Sequence, residues 1–116
     1  MKKKKVIPAN YLERVPQRRE EVGWSVDVAG KVTLEVENKG IANKIAQKIL
    51  KKPKISYIHL DDNGSFVWQI IDGESDLIKL GEKVEEHFGQ DAHPLYERLA
   101  QFFQILDRYG FITWNE

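Results

Sequence analysis

The segment HLDDNGSFVWQIIDG, residues 59–73, marks a change from strand to helix. A β-branched and aromatic run precedes it, and Asp61 or Asp62 can accept hydrogen bonds from the first free N–H groups of a helix. Its apolar residues form pairs at i, i+4, the spacing of neighbours on one helix face: Phe66 with Ile70, and Val67 with Ile71. Gly73 can take the left-handed conformation that ends a helix. The pattern predicts a short, largely buried helix over residues 62–72 that places Trp68 in the core of the protein.

The residues before this segment predict three strands. Apolar and polar residues alternate over 24–28 and again over 32–36, with Gly30 between the two runs. A period of two is typical of a β-hairpin with one buried face. Residues 55–61 predict a third strand whose two faces differ, with Ser56, Ile58 and Leu60 on one face and Ile55, Tyr57 and His59 on the other.

A lysine-rich helix is predicted between the hairpin and the third strand, at about residues 41–52. Ile41, Ile45 and Ile49 are spaced at i, i+4 and i+8, and Pro53 would end the helix. Residues 39–54 contain six lysines and no acidic residue. The polar face would carry Lys44, Lys48, Lys51 and Lys52. This patch is expected to face an acidic partner; a merely solvated face, or weak binding to nucleic acid or an anionic membrane, are the alternatives.

Two further helices are predicted after residue 73. Ser75 is expected to cap the first, and Leu77, Leu80, Val84 and Phe88 line one face of it before Gly89. The second begins at Pro94 and ends at Gly110, with FITW as a short extended segment after it. Its expected core stripe is Leu95, Leu99, Phe102, Leu106 and Tyr109. Apolar residues continue on one flank of that stripe, at Tyr96, Ala100 and Phe103.

The order of elements predicts an α+β fold, a three-stranded antiparallel sheet followed by a winged helix-turn-helix-like tri-helical bundle. Residues 24–116 would form this domain, and residues 1–23 a partly ordered N-terminal arm with Tyr11 as one anchor. The chain of 116 residues suits one domain and contains no cysteine, which excludes disulfides and Cys-based metal or redox sites. No apolar run is long enough to span a membrane and no signal peptide is evident, so a cytoplasmic location is expected.

Charge and motif patterns favour a binding protein over an enzyme. Residues 1–54 carry 14 Lys/Arg and 6 Asp/Glu, whereas residues 55–116 carry 4 and 12. His59, His87 and His93 lack metal-site spacing, and no nucleophile elbow or phosphate-binding glycine loop occurs, so no catalytic residue, metal or cofactor is predicted. A winged-helix nucleic-acid-binding or regulatory protein is the alternative class. Acidic helices would repel duplex phosphates, so no specific DNA binding is expected.

Three stretches in order resemble the PqqD family: IHLDDNGSFVWQIIDG, IKLGEKVEEHFG and LYERLAQFFQILDRYGFI. The residues that match the family pattern are Leu60, Trp68, Ile71, Asp72, Gly73, Phe88, Leu106, Gly110 and Ile112. The resemblance covers roughly residues 55–112, with the hairpin matching in position. Two features depart from the family: Asp61 stands where asparagine is commoner, and the lysine-rich helix is an insertion relative to the shortest members.

The resemblance implies a function for the protein and the kinds of partner it binds. PqqD-like domains bind the leader part of precursor peptides of modified natural products and present them to an enzyme, often a radical S-adenosylmethionine protein. They are not enzymes and need no cofactor of their own. The implied partners are therefore a precursor peptide and a modifying enzyme, with the domain itself a monomer or homodimer. Either partner could supply the acidic surface expected to meet the lysine patch.

The third strand and the last helix offer a groove for such a peptide. The strand is predicted at a sheet edge, and the apolar flank of the helix extends beyond the stripe needed for packing. We expect an extended peptide to pair with residues 55–60 and to rest on the helix. The predicted peptide-binding residues are Ile55, Tyr57, Ile58, His59, Tyr96, Leu99 and Phe103. Alternatively, the N-terminal arm or a second copy of the chain covers this flank.

Overall fold

The computed structural model describes residues 7–37 and 55–115. The described strands are β1 (Pro16–Arg18), β2 (Gly23–Val26), β3 (Val32–Glu37), β4 (Ile55–His59) and β5 (Ile112–Trp114). The described α-helices are α1 (Asp62–Ile70), α2 (Leu77–Phe88) and α3 (Leu95–Arg108), and 3-10 helices occupy Ala9–Glu13 and Gly89–Ala92. This architecture confirms the predicted α+β class. The predicted helix at 41–52, with Lys44, Lys48, Lys51 and Lys52, lies outside the described residues.

The chain forms two compact units. One combines Met1–Arg19 with Phe66–Glu116 and contains β1, β5, α2 and α3; we call it the helical unit. The other is Glu20–Ser65, which contains β2, β3 and β4; we call it the sheet unit. The division falls inside α1, after its first turn.

The sheet unit is an antiparallel sheet with strand order β2-β3-β4. Trp24 pairs with Leu34, and Leu34 pairs with Ile58, so these three side chains share one face. Leu34 and Val32 are fully buried on that face. The side chains of β4 alternate between half-buried and exposed, which confirms the predicted faces of the third strand.

The hairpin is confirmed, but its first strand is not buried on one face as predicted. Trp24 is 37% exposed and Val26 46% exposed, although both lie on the face of Leu34. Val28 lies beyond the strand, in the turn, and is fully exposed. The physical reason is position, because β2 is an edge strand with a described neighbour on one side only.

The first turn of α1 is fastened by two side chains of the sheet unit. The carboxylate of Asp61 accepts a hydrogen bond from the Gly64 N–H at 2.7 Å, so Asp61 is the N-cap. The Ser65 hydroxyl accepts the Val32 N–H at 2.8 Å and donates to the Leu60 carbonyl at 3.2 Å. Ser65 is 1% exposed, so it satisfies two backbone groups where water has little access.

The helical unit has a core of large apolar residues. Its largest fully buried side chains include Trp68, Leu77, Leu80, Phe103, Leu106 and Ile112. β1 pairs antiparallel with β5, with Gln17 opposite Thr113, and the first 3-10 helix contacts α2 and α3. The extended FITW segment is confirmed as β5, whereas its pairing with the N-terminal segment was not predicted.

The turn between α1 and α2 differs from its prediction. Asp76, not Ser75, caps α2, because its side chain accepts the Lys79 N–H at 2.9 Å. Ser75 instead donates its hydroxyl to Asp72 at 2.9 Å. Asp72 also accepts the N–H groups of Glu74 and Ser75, and these bonds hold the pKa of its carboxyl below the usual value. Gly73 has φ of +76°, as its place in the turn requires.

The buried face of α3 is rotated relative to its prediction. Leu95, Leu99 and Leu106 are buried as expected, but Tyr109 is 66% exposed and Phe102 is only half-buried. Ala100 and Phe103, predicted to form an extra flank, are buried instead. The rotation follows from packing that the repeat along the helix does not encode. The Phe103 ring lies 6.2 Å from the Trp114 ring of β5, and the first 3-10 helix also contacts α3.

Candidate functional site

Strand β4 presents an edge that no described strand occupies. Opposite residues of an antiparallel pair alternate between hydrogen-bonded and non-hydrogen-bonded positions. The Leu60 N–H donates to the Val32 carbonyl at 2.9 Å, which sets the phase of the β3–β4 ladder. It follows that Ser56 and Ile58 bond to β3, whereas the N–H and C=O groups of Ile55, Tyr57 and His59 point to the open edge.

The same three residues also expose their side chains. Ile55 is 42% exposed and Tyr57 60% exposed, and His59 is exposed next to them on the same face. The Nδ1 atom of His59 lies 2.9 Å from the Thr33 hydroxyl, and this contact fixes the ring against the neighbouring strand. Ile58 lies on the opposite, partly covered face. The edge therefore offers backbone donors and acceptors together with an aromatic and an aliphatic contact surface.

The three predicted helix residues differ in exposure. Leu99 is 4% exposed and Phe103 is fully buried, whereas Tyr96 is half-buried. The Tyr96 hydroxyl donates to the Ile78 carbonyl at 3.3 Å, and its ring lies over Gly81 of α2. Burial raises the pKa of the Tyr96 phenol, and nearby carboxylates, first Glu82, add to the effect. Only Tyr96 of the three therefore presents substantial surface to a ligand.

The histidines take separate structural places. The ring of His87 stacks on Phe66, with centroids 4.2 Å apart. His93 lies 2.7 Å from a carboxylate oxygen of Glu85. Within residues 7–37 and 55–115, no group of three or more His, Asp or Glu side chains is arranged to hold a metal ion.

Arg18 and Ser65 are structural residues that sequence reasoning missed. Arg18 donates to the Trp68 carbonyl at 2.8 Å, near the C-terminal end of α1, where free carbonyls attract a cation. Burial lowers the pKa of this guanidinium, and nearby Asp72 opposes the shift. No local signal marks Arg18, because its partner lies far along the chain. For Ser65 the only signal was a serine inside an apolar helix, where an unpaired hydroxyl would be costly.

The comparison with family models links this edge and the helices to a known family. The model described as "Coenzyme PQQ synthesis protein D (PqqD)" matches residues 32–112. The matched range begins at the first residue of β3, ends at the first residue of β5 and includes β4 with all three described helices.

The two other comparisons, with curated proteins and with solved structures, found no match. No helix in the described part of the chain has the length and apolar character needed to cross a membrane. The family match alone spans well over half of the chain, and it coincides with the resemblance seen in the sequence. The chain belongs to the PqqD family.

Proposed function

We propose that this protein is a non-catalytic peptide-binding module. It recognises the leader part of a precursor peptide through β4 and presents the rest to a modifying enzyme, of the radical S-adenosylmethionine class. Membership in the PqqD family supports a peptide-binding role in the synthesis of a peptide-derived product such as coenzyme PQQ. The observation that carries the proposal is the open edge of β4, where the outward backbone groups belong to residues with exposed side chains.

Strand addition explains how such an edge can bind with little rearrangement. An extended peptide that pairs with β4 would exchange backbone hydrogen bonds with Tyr57 and with its outward neighbours Ile55 and His59. Backbone bonds supply affinity for any extended chain, so side chains beside the edge must provide the specificity. The exposed Tyr57 ring is the largest such side chain on β4.

Two further surfaces belong to the proposal. Tyr96 is the α3 residue best able to contact the peptide, and contacts with Leu99 and Phe103 would require local opening of their packing. The lysines at 44, 48, 51 and 52 would meet an acidic partner, either the leader peptide or a surface of the enzyme. The nucleic-acid-binding alternative finds little support in the described helices, because Glu82, Glu85 and Glu86 on α2 would repel phosphates.

The test begins with identification of the peptide. The tagged full chain is recovered from its native host, and the peptides bound to it are identified by mass spectrometry. A synthetic copy is then titrated into isotope-labelled protein and followed by NMR. We expect the largest amide shifts at Ile55, Tyr57 and His59. Shifts confined to the hairpin residues 24–37, with β4 silent, would contradict the proposed site, as would tight binding of duplex DNA.

A pair of substitutions separates backbone pairing from side-chain contact. In Tyr57→Pro the lost N–H is one that points to the open edge, so the β3–β4 ladder keeps its bonds. Tyr57→Ala removes the same ring but retains the N–H. We expect Tyr57→Pro to weaken peptide binding at least about fivefold more than Tyr57→Ala, in line with the net value of a hydrogen bond. Equal affinities of the two folded variants would indicate that the peptide does not pair with β4.

A further inference from the structure

Strand β4 has the composition of an edge that accepts another strand. Its outward backbone groups belong to Ile55, Tyr57 and His59, and none of its five residues is Asp, Glu, Lys, Arg or Pro. Charged residues, prolines and bulges within an edge strand are the usual protection against pairing with another chain. Ile55 and Tyr57 also expose apolar surface beside the edge. The strand is therefore open to an extended segment, including the same strand of a second copy.

A second copy of the edge fits in one antiparallel register. With Tyr57 opposite Tyr57 of the partner subunit, Ile55 lies opposite His59 of the partner subunit, so every outward residue meets an outward residue. A shift by one residue would set outward groups against groups already bonded to β3. A shift by two would set an outward residue opposite Pro53, which has no N–H, or opposite Asp61, the N-cap of α1. Antiparallel self-pairing therefore centres on Tyr57.

The charges on either side of β4 favour the same arrangement. Lys51, Lys52 and Lys54 come just before the strand in the sequence, and Asp61 and Asp62 come just after it. In a parallel pair, lysines would lie beside lysines and aspartates beside aspartates. In an antiparallel pair, the basic end of each strand meets the acidic end of the other. The order of charges along the chain therefore favours antiparallel over parallel pairing.

Both aspartates already have contacts within their own chain. The Asp61 carboxylate accepts the Gly64 N–H at 2.7 Å, and Asp62 lies 3.1 Å from Lys31. The Asp62 side chain is nevertheless 74% exposed, and a carboxylate can accept hydrogen bonds from more than one donor. The acidic end of β4 therefore keeps surface for a lysine of the second copy.

We propose that β4 pairs antiparallel with β4 of a second copy, with the two Tyr57 residues opposite each other. Opposite residues of a ladder project to the same face, so the two Tyr57 rings lie side by side on the exposed face. The interface is one short strand pair, which makes the dimer weak and reversible. It occupies the backbone groups that the proposed function assigns to the leader peptide, so peptide binding must open the dimer. Only this last step rests on the proposed function.

Sedimentation equilibrium of the full chain at rising concentration measures the self-association. We expect a monomer–dimer equilibrium that weakens a few-fold when salt is raised. Tyr57→Lys sets like charges opposite each other and should raise the dissociation constant at least about tenfold. Val26→Lys places the same charge at an exposed position of the other edge strand and should leave the dimer unchanged. Circular dichroism establishes that both variants are folded.

Disulfide trapping tests the register, because the chain contains no cysteine. Opposite Cα atoms at a hydrogen-bonded position are about 5.5 Å apart, which is within the range of a disulfide. Tyr57→Cys should form a linked dimer on mild oxidation at least about tenfold faster than Val26→Cys, because paired strands hold the two thiols together. This measurement also decides the inference should Tyr57→Lys fail to fold.

A synthetic copy of residues 52–62, KPKISYIHLDD, tests the role of the charges. The acetylated, fluorescently labelled peptide should bind the full chain, shift the amides of Ile55, Tyr57 and His59, and dissociate the dimer. In a second peptide the lysines and aspartates change places, so pairing in the same register opposes like charges. We expect it to bind at least about threefold more weakly at low salt. Equal binding of the two peptides would overturn the selection of this arrangement by charge.

The remaining outcomes separate the inference from the proposed function. Self-pairing is overturned, and the proposed function stands, if the chain stays monomeric at every concentration. The same holds if Tyr57→Lys and Val26→Lys weaken the dimer equally, or if both cysteine variants are trapped at the same rate. If the linked Tyr57→Cys dimer forms as expected but binds the peptide recovered from the native host as tightly as its reduced form does, self-pairing stands and the proposed peptide site on β4 fails.

Discussion

The helical unit buries two large aromatic side chains completely, whereas none of the described aromatic side chains of the sheet unit is buried. In the helical unit, Trp68 and Phe103 are fully buried. In the sheet unit, Trp24 is 37% exposed and Tyr57 60% exposed, on the two edge strands. The difference places aromatic packing in the core of one unit and exposed aromatic rings on the edge strands of the other. Burial of large side chains stabilises the helical unit, whereas the sheet unit leaves aromatic surface beside open backbone groups.

Backbone chemistry accounts for this difference. A helix satisfies its backbone hydrogen bonds internally, so it interacts with the rest of the protein through side chains. A sheet of three strands necessarily ends in two edges, and each edge leaves alternate N–H and C=O groups without a strand partner. Substitutions in each unit test this difference.

The largest effect on stability is expected from the removal of Trp68. Trp68→Ala should lower the free energy of unfolding by about 3–5 kcal/mol, the range for large aromatic residues removed from a core. Trp24→Ala, at an exposed edge position, is the matched control and should cost much less. Urea unfolding of both variants measures the difference. Equal losses would show that the sheet unit depends on its exposed tryptophan as much as the helical unit does on its buried one.

A smaller effect is expected where α2 meets α3 in the helical unit. A Cβ atom at Gly81 would lie 2.6 Å from Cε1 of Tyr96, so Gly81→Ala forces the tyrosine ring to move. We expect a net loss of about 1–2 kcal/mol, because the overpacking strain exceeds the gain in helix propensity.

A second substitution separates strain from propensity at this contact. In a Tyr96→Leu background the strain is relieved, and Gly81→Ala should then be neutral or stabilising. Thermal unfolding of the two single variants and the double variant gives the coupling. Additive effects would show that the ring of Tyr96 does not require a glycine at position 81.

In the sheet unit, we expect removal of the Ser65 hydroxyl to lower the free energy of unfolding about as much as Gly81→Ala does, although serine is small and polar. Ser65→Ala leaves the buried Val32 N–H and Leu60 carbonyl without the hydroxyl between them, which should cost about 1–2 kcal/mol. Hydrogen exchange at the Val32 amide should accelerate. Ser25→Ala, on exposed β2, serves as the control, and unchanged exchange at Val32 in Ser65→Ala would refute this role.

The smallest effect concerns pH and the turn before α2. Hydrogen bonds from Glu74 and Ser75 hold the pKa of Asp72 low in the folded protein. The stabilisation is therefore present above the unfolded pKa of about 3.9 and is lost as pH falls through the lower folded value. Asp72→Asn should lower the melting temperature slightly at neutral pH, and the gap from the native chain should close as the pH falls through the lowered pKa of the folded protein. Asp91→Asn is the control, and a gap that persists in acid would exclude this origin.

Local patterns predicted much of the fold, because they reflect short-range physics. Asp61 and Gly73 predicted where α1 begins and ends, and alternating apolar residues predicted the hairpin and β4. The errors have two causes: a choice between adjacent residues at the start of α2, and packing against a distant segment at α3. Ser75 lost its predicted capping role to Asp76, and the buried face of α3 rotated toward Phe103, which lies near Trp114 of β5.

The candidate site divides in the same way. The exposure of Ile55, Tyr57 and His59 followed from the period of a strand, and β4 was expected at an edge. The burial of Leu99 was predicted from its place in the core stripe, whereas the burial of Phe103 was not, because a helical repeat shows which residues share a face but not which neighbours cover it. Whether a peptide rests on these helix residues stays a prediction.

Apart from β1, which lies in the predicted N-terminal arm, sequence patterns were sufficient to predict the described strands and α-helices, the start of α1 and the family resemblance. These properties depend on residues within a few positions of one another, through periodicity, capping and glycine conformation. The pairing of β1 with β5, the bridge from Ser65 to Val32 and Leu60, and the position of Glu35 opposite Tyr57 could be seen only in the folded protein. Each of these joins residues far apart in the chain, and strand register and packing, which no local pattern encodes, select the partner.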